Sequence, residues 1–302
     1  MPRADSPLRE YDPDFESPWL KWAQALKHAQ ELDELVALWR GSHSPAHSFR
    51  AEYQAQRHGF AITAHDIEPV PYRARLLLGD IANNYRAALD HLAWALVSRG
   101  RTPPSILTDR QAGGVYFPIL KSRDEFNAQV QVPPTPKTRL MLPGIRRADS
   151  ALVRRAQPFR LSPRRQRIHP LVLLQGINNG DKHRAVQPLW TVPERYHFNI
   201  TEMTDCELSA QIWKRHGEPL TEGVEVALLP ARRTGNTPAI QLSVDLSAMP
   251  TIGERITSQE WHVRTGILIF QLLREFSAQP PNMVVDVGGQ WARFDYDWQP
   301  GR

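Results

Sequence analysis

Residues 73–99 read RARLLLGDIANNYRAALDHLAWALVSR, the longest run with a clean helical period in the chain. Leu78, Ile81, Tyr85, Leu89, Leu92 and Leu96 recur at steps of three and four, so a helix would stack them along one apolar stripe. Polar residues flank that stripe. Asn84 and His91 are seven apart and stand one above the other, while Arg86 and Asp90 are four apart and can pair. An arginine, an amide and an imidazole at the rim of a buried stripe are costly unless something engages them. Arg86, His91, Asn84 and Asp90 are therefore the first candidate site.

Working outward, Pro18 opens an earlier helix over 18–40, with Leu20, Leu26, Leu32, Val36 and Trp39 on its apolar side. The polar, proline-rich segment 1–17 is expected to be disordered or loosely docked. Residues 49–63 alternate in two arms around Arg57-His58-Gly59, which predicts a hairpin. Beyond Arg99 the chain is loop-rich. Ser122 with Glu125 forms a capping-box pattern, and short helices are expected around 137–141 and through ADSALVRRAQPF. Pro170 suits the first position of a helix PLVLLQGINN, with Asn179-Gly180 as its stop. From 185 to 248 the segments AVQPLW, YHFNITEMT, ELSAQIWKR, VEVALL and AIQLSVDL are short and partly alternating, as strands are. A last helix over 258–278 is apolar nearly all round. The fold expected is α+β: a helical bundle (18–184 and 258–278) with an antiparallel β-rich insertion at 185–248, in one domain spanning 18–302, with the 49–63 hairpin joining the sheet.

Hydrophobic residues make up 41% of the chain and charged ones 23%, an ordinary soluble balance. No apolar run reaches the roughly 18 residues that cross a bilayer, and the N-terminus lacks the apolar segment of a secretory signal, so a cytoplasmic protein without membrane contact is expected. Cys206 is the single cysteine, which excludes an internal disulfide and multi-cysteine zinc sites and reads as a small buried hydrophobe. His91, His169, Asp181 and His183 are permissible metal ligands, but no paired spacing links them. Phosphate-loop, dinucleotide and nucleophile-elbow motifs are absent, so neither metal nor cofactor is expected.

The net charge of +5 is unevenly spread. Arg146, Arg147, Arg154, Arg155, Arg160, Arg164 and Arg165 crowd a stretch in which Asp149 is the only acid. Arginine suits phosphate forks, so Arg146, Arg147, Arg154, Arg155, Arg164 and Arg165 are candidate nucleic-acid contacts, with a solvated helix face as the alternative. A second cluster, Asp181-Lys182-His183-Arg184, follows Asn178-Asn179-Gly180. Its cations either complement a helix C-terminus or fold against 73–99 and complete one site with Asn84, Arg86 and His91.

The R-x4-H pattern from Arg86 to His91, with buried helices following, resembles the HEPN superfamily, whose ribonuclease members carry R-x(4–6)-H. The run from Asn83 to His91 (N-x-x-R-x-x-L-D-H), with Asp181-Lys182-His183-Arg184 beyond it, is also similar to a set of uncharacterised bacterial and phage proteins. The HEPN resemblance implies a homodimer whose paired helices bring two arginines and two histidines together. It further implies RNA binding or metal-independent endoribonuclease activity, as in toxin and phage-defence systems. His91 would serve as acid or base and Arg86 would stabilise phosphate charge, with Asn84 and Asp90 orienting them. The family usually has a polar residue after the arginine, where this chain has Ala87. That departure favours a rival reading, a non-catalytic binding or assembly protein in which both polar clusters are structural hydrogen-bond networks.

Overall fold

The computed structural model describes residues 15–41, 48–100, 107, 109–131, 140–183, 189–209, 213–214, 218–252 and 256–277. The architecture is α+β, with long helices and antiparallel sheets. Packing divides the chain into two compact units. One lies within Met1–Glu31, Leu77–Val186 and Gln259–Arg302, the other within Leu32–Leu76 and Gln187–Ser258.

The helical unit is built on α1 (Glu16–Gly41, through Glu31), α2 (Tyr72–Arg99, from Leu77), α3 (Asp109–Ala112), α4 (Arg123–Phe126), α5 (Arg147–Arg155), α6 (Pro163–Gln166), α7 (Pro170–His183) and α8 (Ser258–Phe276). The stripe on α2 is sealed: Leu78, Ile81, Tyr85, Leu89, Leu92 and Leu96 are fully buried. Burying such side chains contributes about 1.5–3 kcal/mol each, enough to hold a helix whose propensity alone would be marginal. Gly266 of α8 lets the helices close. A Cβ there would stand 2.5 Å from the Tyr85 hydroxyl. The Trp22 indole donates to the Gly266 carbonyl at 2.9 Å, and the Tyr85 hydroxyl donates to the His262 carbonyl at 3.2 Å. Phe15 is fully buried under the Arg99 guanidinium, 4.9 Å from its ring centre. The segment expected to be loosely docked is therefore anchored from Phe15 onward, because an aromatic ring and a helical turn pull its end into the core. Residues 1–14 lie outside the described residues.

Other boundaries also differ from expectation. Asn179-Gly180 does not end α7, which runs on to His183. Leu171, Leu174, Ile177 and Asn178 are buried along one side of α7, and that packing outweighs the roughly 1 kcal/mol helix penalty of a glycine. Of the short helix expected over 137–141, residues 137–139 lie outside the described residues, and Leu140 and Met141 are not helical. Ser122 caps α4 as its sequence predicts, its hydroxyl accepting from the Asp124 and Glu125 amides.

Among the described residues the sheet unit contains two antiparallel sheets instead of the single one expected. One orders β1 (Ser48–Gln54), β2 (Gly59–His65), β6 (Glu225–Arg233) and β4 (Cys206–Leu208), with β5 (Trp213–Lys214) also on β6. The other pairs β3 (Leu189–Thr204) with β7 (Ala239–Ile252) and β8 (Ile256–Thr257). The two strand segments read around Pro193 are one strand, β3. A register shift between Pro193 and Arg195 leaves Glu194 as the extra residue, a bulge directly beside the proline that cannot donate to the ladder. Phe60, Ile62, Ala64, Val226 and Leu229 meet Tyr196, Phe198, Ile240 and Leu242 in the core between the sheets, and Cys206 is buried there.

Candidate functional site

Arg86 and Asp90 face a segment that has no ladder of its own. Residues 115–120 are irregular, yet Phe117, Ile119 and Leu120 are buried, so their backbone groups need partners. The Phe117 amide donates to Asp90 Oδ1 at 2.9 Å, and its carbonyl accepts from Arg86 Nη2 at 3.0 Å. Arg86 is itself forked onto Asp90, Nε to Oδ2 at 3.1 Å and Nη2 to Oδ1 at 2.8 Å. The guanidinium lies 6.0 Å from the Tyr116 ring centre, and only 12% of the arginine side chain is exposed. Gln157, itself buried, completes the arrangement, accepting from the Leu120 amide at 3.0 Å and donating to the Pro118 carbonyl at 2.9 Å. Three side chains thus stand in for a neighbouring strand.

His91 is separate from this clasp. Its Nδ1 lies 2.6 Å from Ser17 Oγ at the start of α1, and the ring is half-buried. Burial and the nearby Lys21 charge push its pKa below the ordinary imidazole range, against the opposing pull of Asp90. At neutral pH the ring is uncharged. Asn84 bonds within its own helix, its amide donating to the Asp80 carbonyl at 2.9 Å. The four candidate residues therefore split into a clasp (Arg86, Asp90), a hydroxyl–imidazole pair (His91 with Ser17) and a helix-surface amide.

The second cluster begins inside a helix. Asp181, Lys182 and His183 form the last turn of α7, but their side chains, and all of Arg184, lie outside what is described. Among the described residues no three His, Cys, Asp or Glu side chains converge on a metal site.

The arginine stretch divides by role. Arg146 donates to the Arg99 carbonyl, and Arg154 is half-buried. Arg155 stands 3.9 Å from Glu275, a loose exposed contact. Arg147, Arg160, Arg164, Arg165 and Arg167 are exposed, and among the described residues no carboxylate reaches them. Asp149 is buried and fully used by Arg99, at 2.6 and 3.1 Å, so the stretch's lone acid does not neutralise these cations.

No family model, curated protein or solved structure matches the chain. Among the described residues no helix is long and apolar enough to cross a membrane. Three residues that matter to this region gave little or no signal in the sequence: Ser17, Gln157 and Arg99. The one hint was Asp149, a single acid among arginines, which marked a buried partner for a distant cation.

Proposed function

We propose that the protein binds RNA without cleaving it, through the exposed arginines of residues 147–167, and that Arg86 and Asp90 are structural. The observation that carries this reading is the Arg86 guanidinium, which is committed to Asp90 and to the Phe117 carbonyl and so is withdrawn from phosphate. Arg147, Arg160, Arg164, Arg165 and Arg167 are open to solvent and suit backbone phosphates. Binding would then be electrostatic and steeply salt-dependent. For single-stranded RNA the slope of log affinity against log salt is about −0.7 per phosphate neutralised. The test is a salt titration of wild-type protein and of an Arg147→Ala, Arg164→Ala, Arg165→Ala triple variant. A slope reduced by about two in the variant supports the reading. A wild-type slope near zero overturns it.

One observation favours a second reading, the HEPN-like, metal-independent endoribonuclease acting as a cytoplasmic homodimer in a toxin or phage-defence system. His91 is partly exposed and neutral at physiological pH, the state a general base needs. On this reading Arg86 must leave Phe117 to reach substrate. RNA cleavage that persists with chelator and disappears in His91→Ala, with the melting temperature unchanged, would favour it over simple binding.

A further inference from the structure

The sheet unit carries a carboxylate, an imidazole and a hydroxyl in series. Glu222 Oε1 lies 2.7 Å from His65 Nδ1, and His65 Nε2 lies 3.0 Å from Thr63 Oγ1. The order follows from strand geometry. Thr63 and His65 are two apart on β2 and share one face, while Phe60, Ile62 and Ala64 turn into the core. A register shift between Ile62 and Thr63, where β2 pairs with β6, falls directly beside the hydroxyl. Such irregularities re-aim side chains.

The chemistry of the three groups sets the tautomer. An ionised carboxylate only accepts, so its contact places the proton on Nδ1. The neutral ring then holds a lone pair on Nε2, which accepts from the Thr63 hydroxyl. That is the arrangement by which an imidazole, oriented by an acid, acts as base toward a hydroxyl nucleophile. Exposure grades along the series: the His65 side chain is 20% exposed and Glu222 65%. Directly across the ladder from Thr63 is Arg50, exposed and with no carboxylate partner among the described residues.

We propose that Thr63, His65 and Glu222 form an acyl-transfer site for activated carboxylic esters. Thr63 Oγ1 attacks the ester carbonyl carbon, and the new C–O bond forms as His65 Nε2 takes the hydroxyl proton. The Arg50 guanidinium, on the neighbouring strand, balances the negative charge that grows on the carbonyl oxygen. The intermediate collapses, the original ester C–O bond breaks, and His65 returns the proton to the leaving alcohol. Water, deprotonated by His65, then releases the acyl group as its acid and restores Thr63. Glu222 touches no reacting atom and is a positioning residue. This site is independent of the arginine surface and of any RNA bound there.

The test uses the full chain with p-nitrophenyl acetate, following nitrophenolate release and mapping the acetylated peptide after an acid quench. The expected result is a burst of release with one acetyl group on Thr63. Thr63→Val, which keeps the branched strand residue, loses the burst by about a hundredfold or more, and Thr63→Ser retains it. Glu222→Gln lowers the maximal rate of acetylation while the KM for the ester stays unchanged, and Glu222→Asp recovers part of the rate. A merely structural contact would not separate the rate from the KM in this way. Absence of acetyl from Thr63 in wild-type protein overturns the proposal whatever the variants do. So does acetylation confined to lysines, or a burst that persists in folded Thr63→Val.

Discussion

Arg86 and Asp90, one helical turn apart on α2, together satisfy both backbone polar groups of Phe117. An isolated pair at this spacing on a helix surface stabilises by only about 0.2–0.5 kcal/mol. Here each member also completes a hydrogen bond of a buried segment, so removing either leaves a polar group without a partner. Arg86→Ala and Asp90→Ala are each expected to destabilise by about 1–3 kcal/mol in urea unfolding. The double variant should cost less than the sum, because the two losses share Phe117. Strictly additive losses would show that the clasp does not act as a unit.

Gly266→Ala is expected to destabilise by about 1–3 kcal/mol, since the added Cβ meets the Tyr85 hydroxyl at 2.5 Å. In a Tyr85→Phe background the obstructing oxygen is gone, and the same change should cost clearly less. Thermal melts of the four proteins in this cycle provide the check.

The opposite sign is expected at Gly176 on α7, where a Cβ would meet nothing within 4 Å. Gly176→Ala should raise stability by about 0.5–1 kcal/mol, because alanine restricts the unfolded chain and adds no clash. A drop in melting temperature would contradict the helical geometry at that position.

His169 is a proton-sensitive cap. Its Nδ1 accepts from the Leu171 amide at 3.2 Å at the start of α7, and burial pushes its pKa down to about 4. A histidine depressed in the folded state is protonated first in the unfolded chain, near pH 6.5. Its contribution is therefore fully present above pH 6.5 and lost as pH falls toward 4, on the order of 3 kcal/mol in all. His169→Asn keeps an acceptor without the titration, so its stability should fall less between pH 7 and pH 5 than that of wild type.

Asp205 adds a smaller acid sensitivity in the sheet unit. It sits at a positive φ of 52°, and hydrogen bonds from the Thr237 amide and hydroxyl hold its carboxyl below the usual range. The stability it contributes is present above the unfolded carboxylate pKa near 3.9 and disappears as pH falls through the lower folded value. Asp205→Ala should weaken amide exchange protection at Thr237 at neutral pH and remove its dependence on acid.

The α2 stripe, the β1–β2 hairpin, the Ser122 cap and the α+β class were legible because each is written at a local period or in a few adjacent residues. The candidate site was legible only as a set of residue types. Spacing placed Arg86 and Asp90 within reach of each other, but nothing near them in sequence announced Phe117, 27 residues beyond Asp90. Thr63 and His65 stand two apart on β2, but the hairpin read over 49–63 did not mark them as a pair. Glu222, 157 residues from His65, was not marked either.

By itself, then, the sequence determined the long helices, the β1–β2 hairpin and the inward stripe of α2, since periodicity and the hydrophobic effect act on neighbours. Tertiary structure alone decided what the polar rim of α2 is for. Whether a guanidinium meets a phosphate or a backbone carbonyl depends on which distant segment folds against it. That choice is made by which backbone groups are buried beside it and need a partner, and not by local pattern.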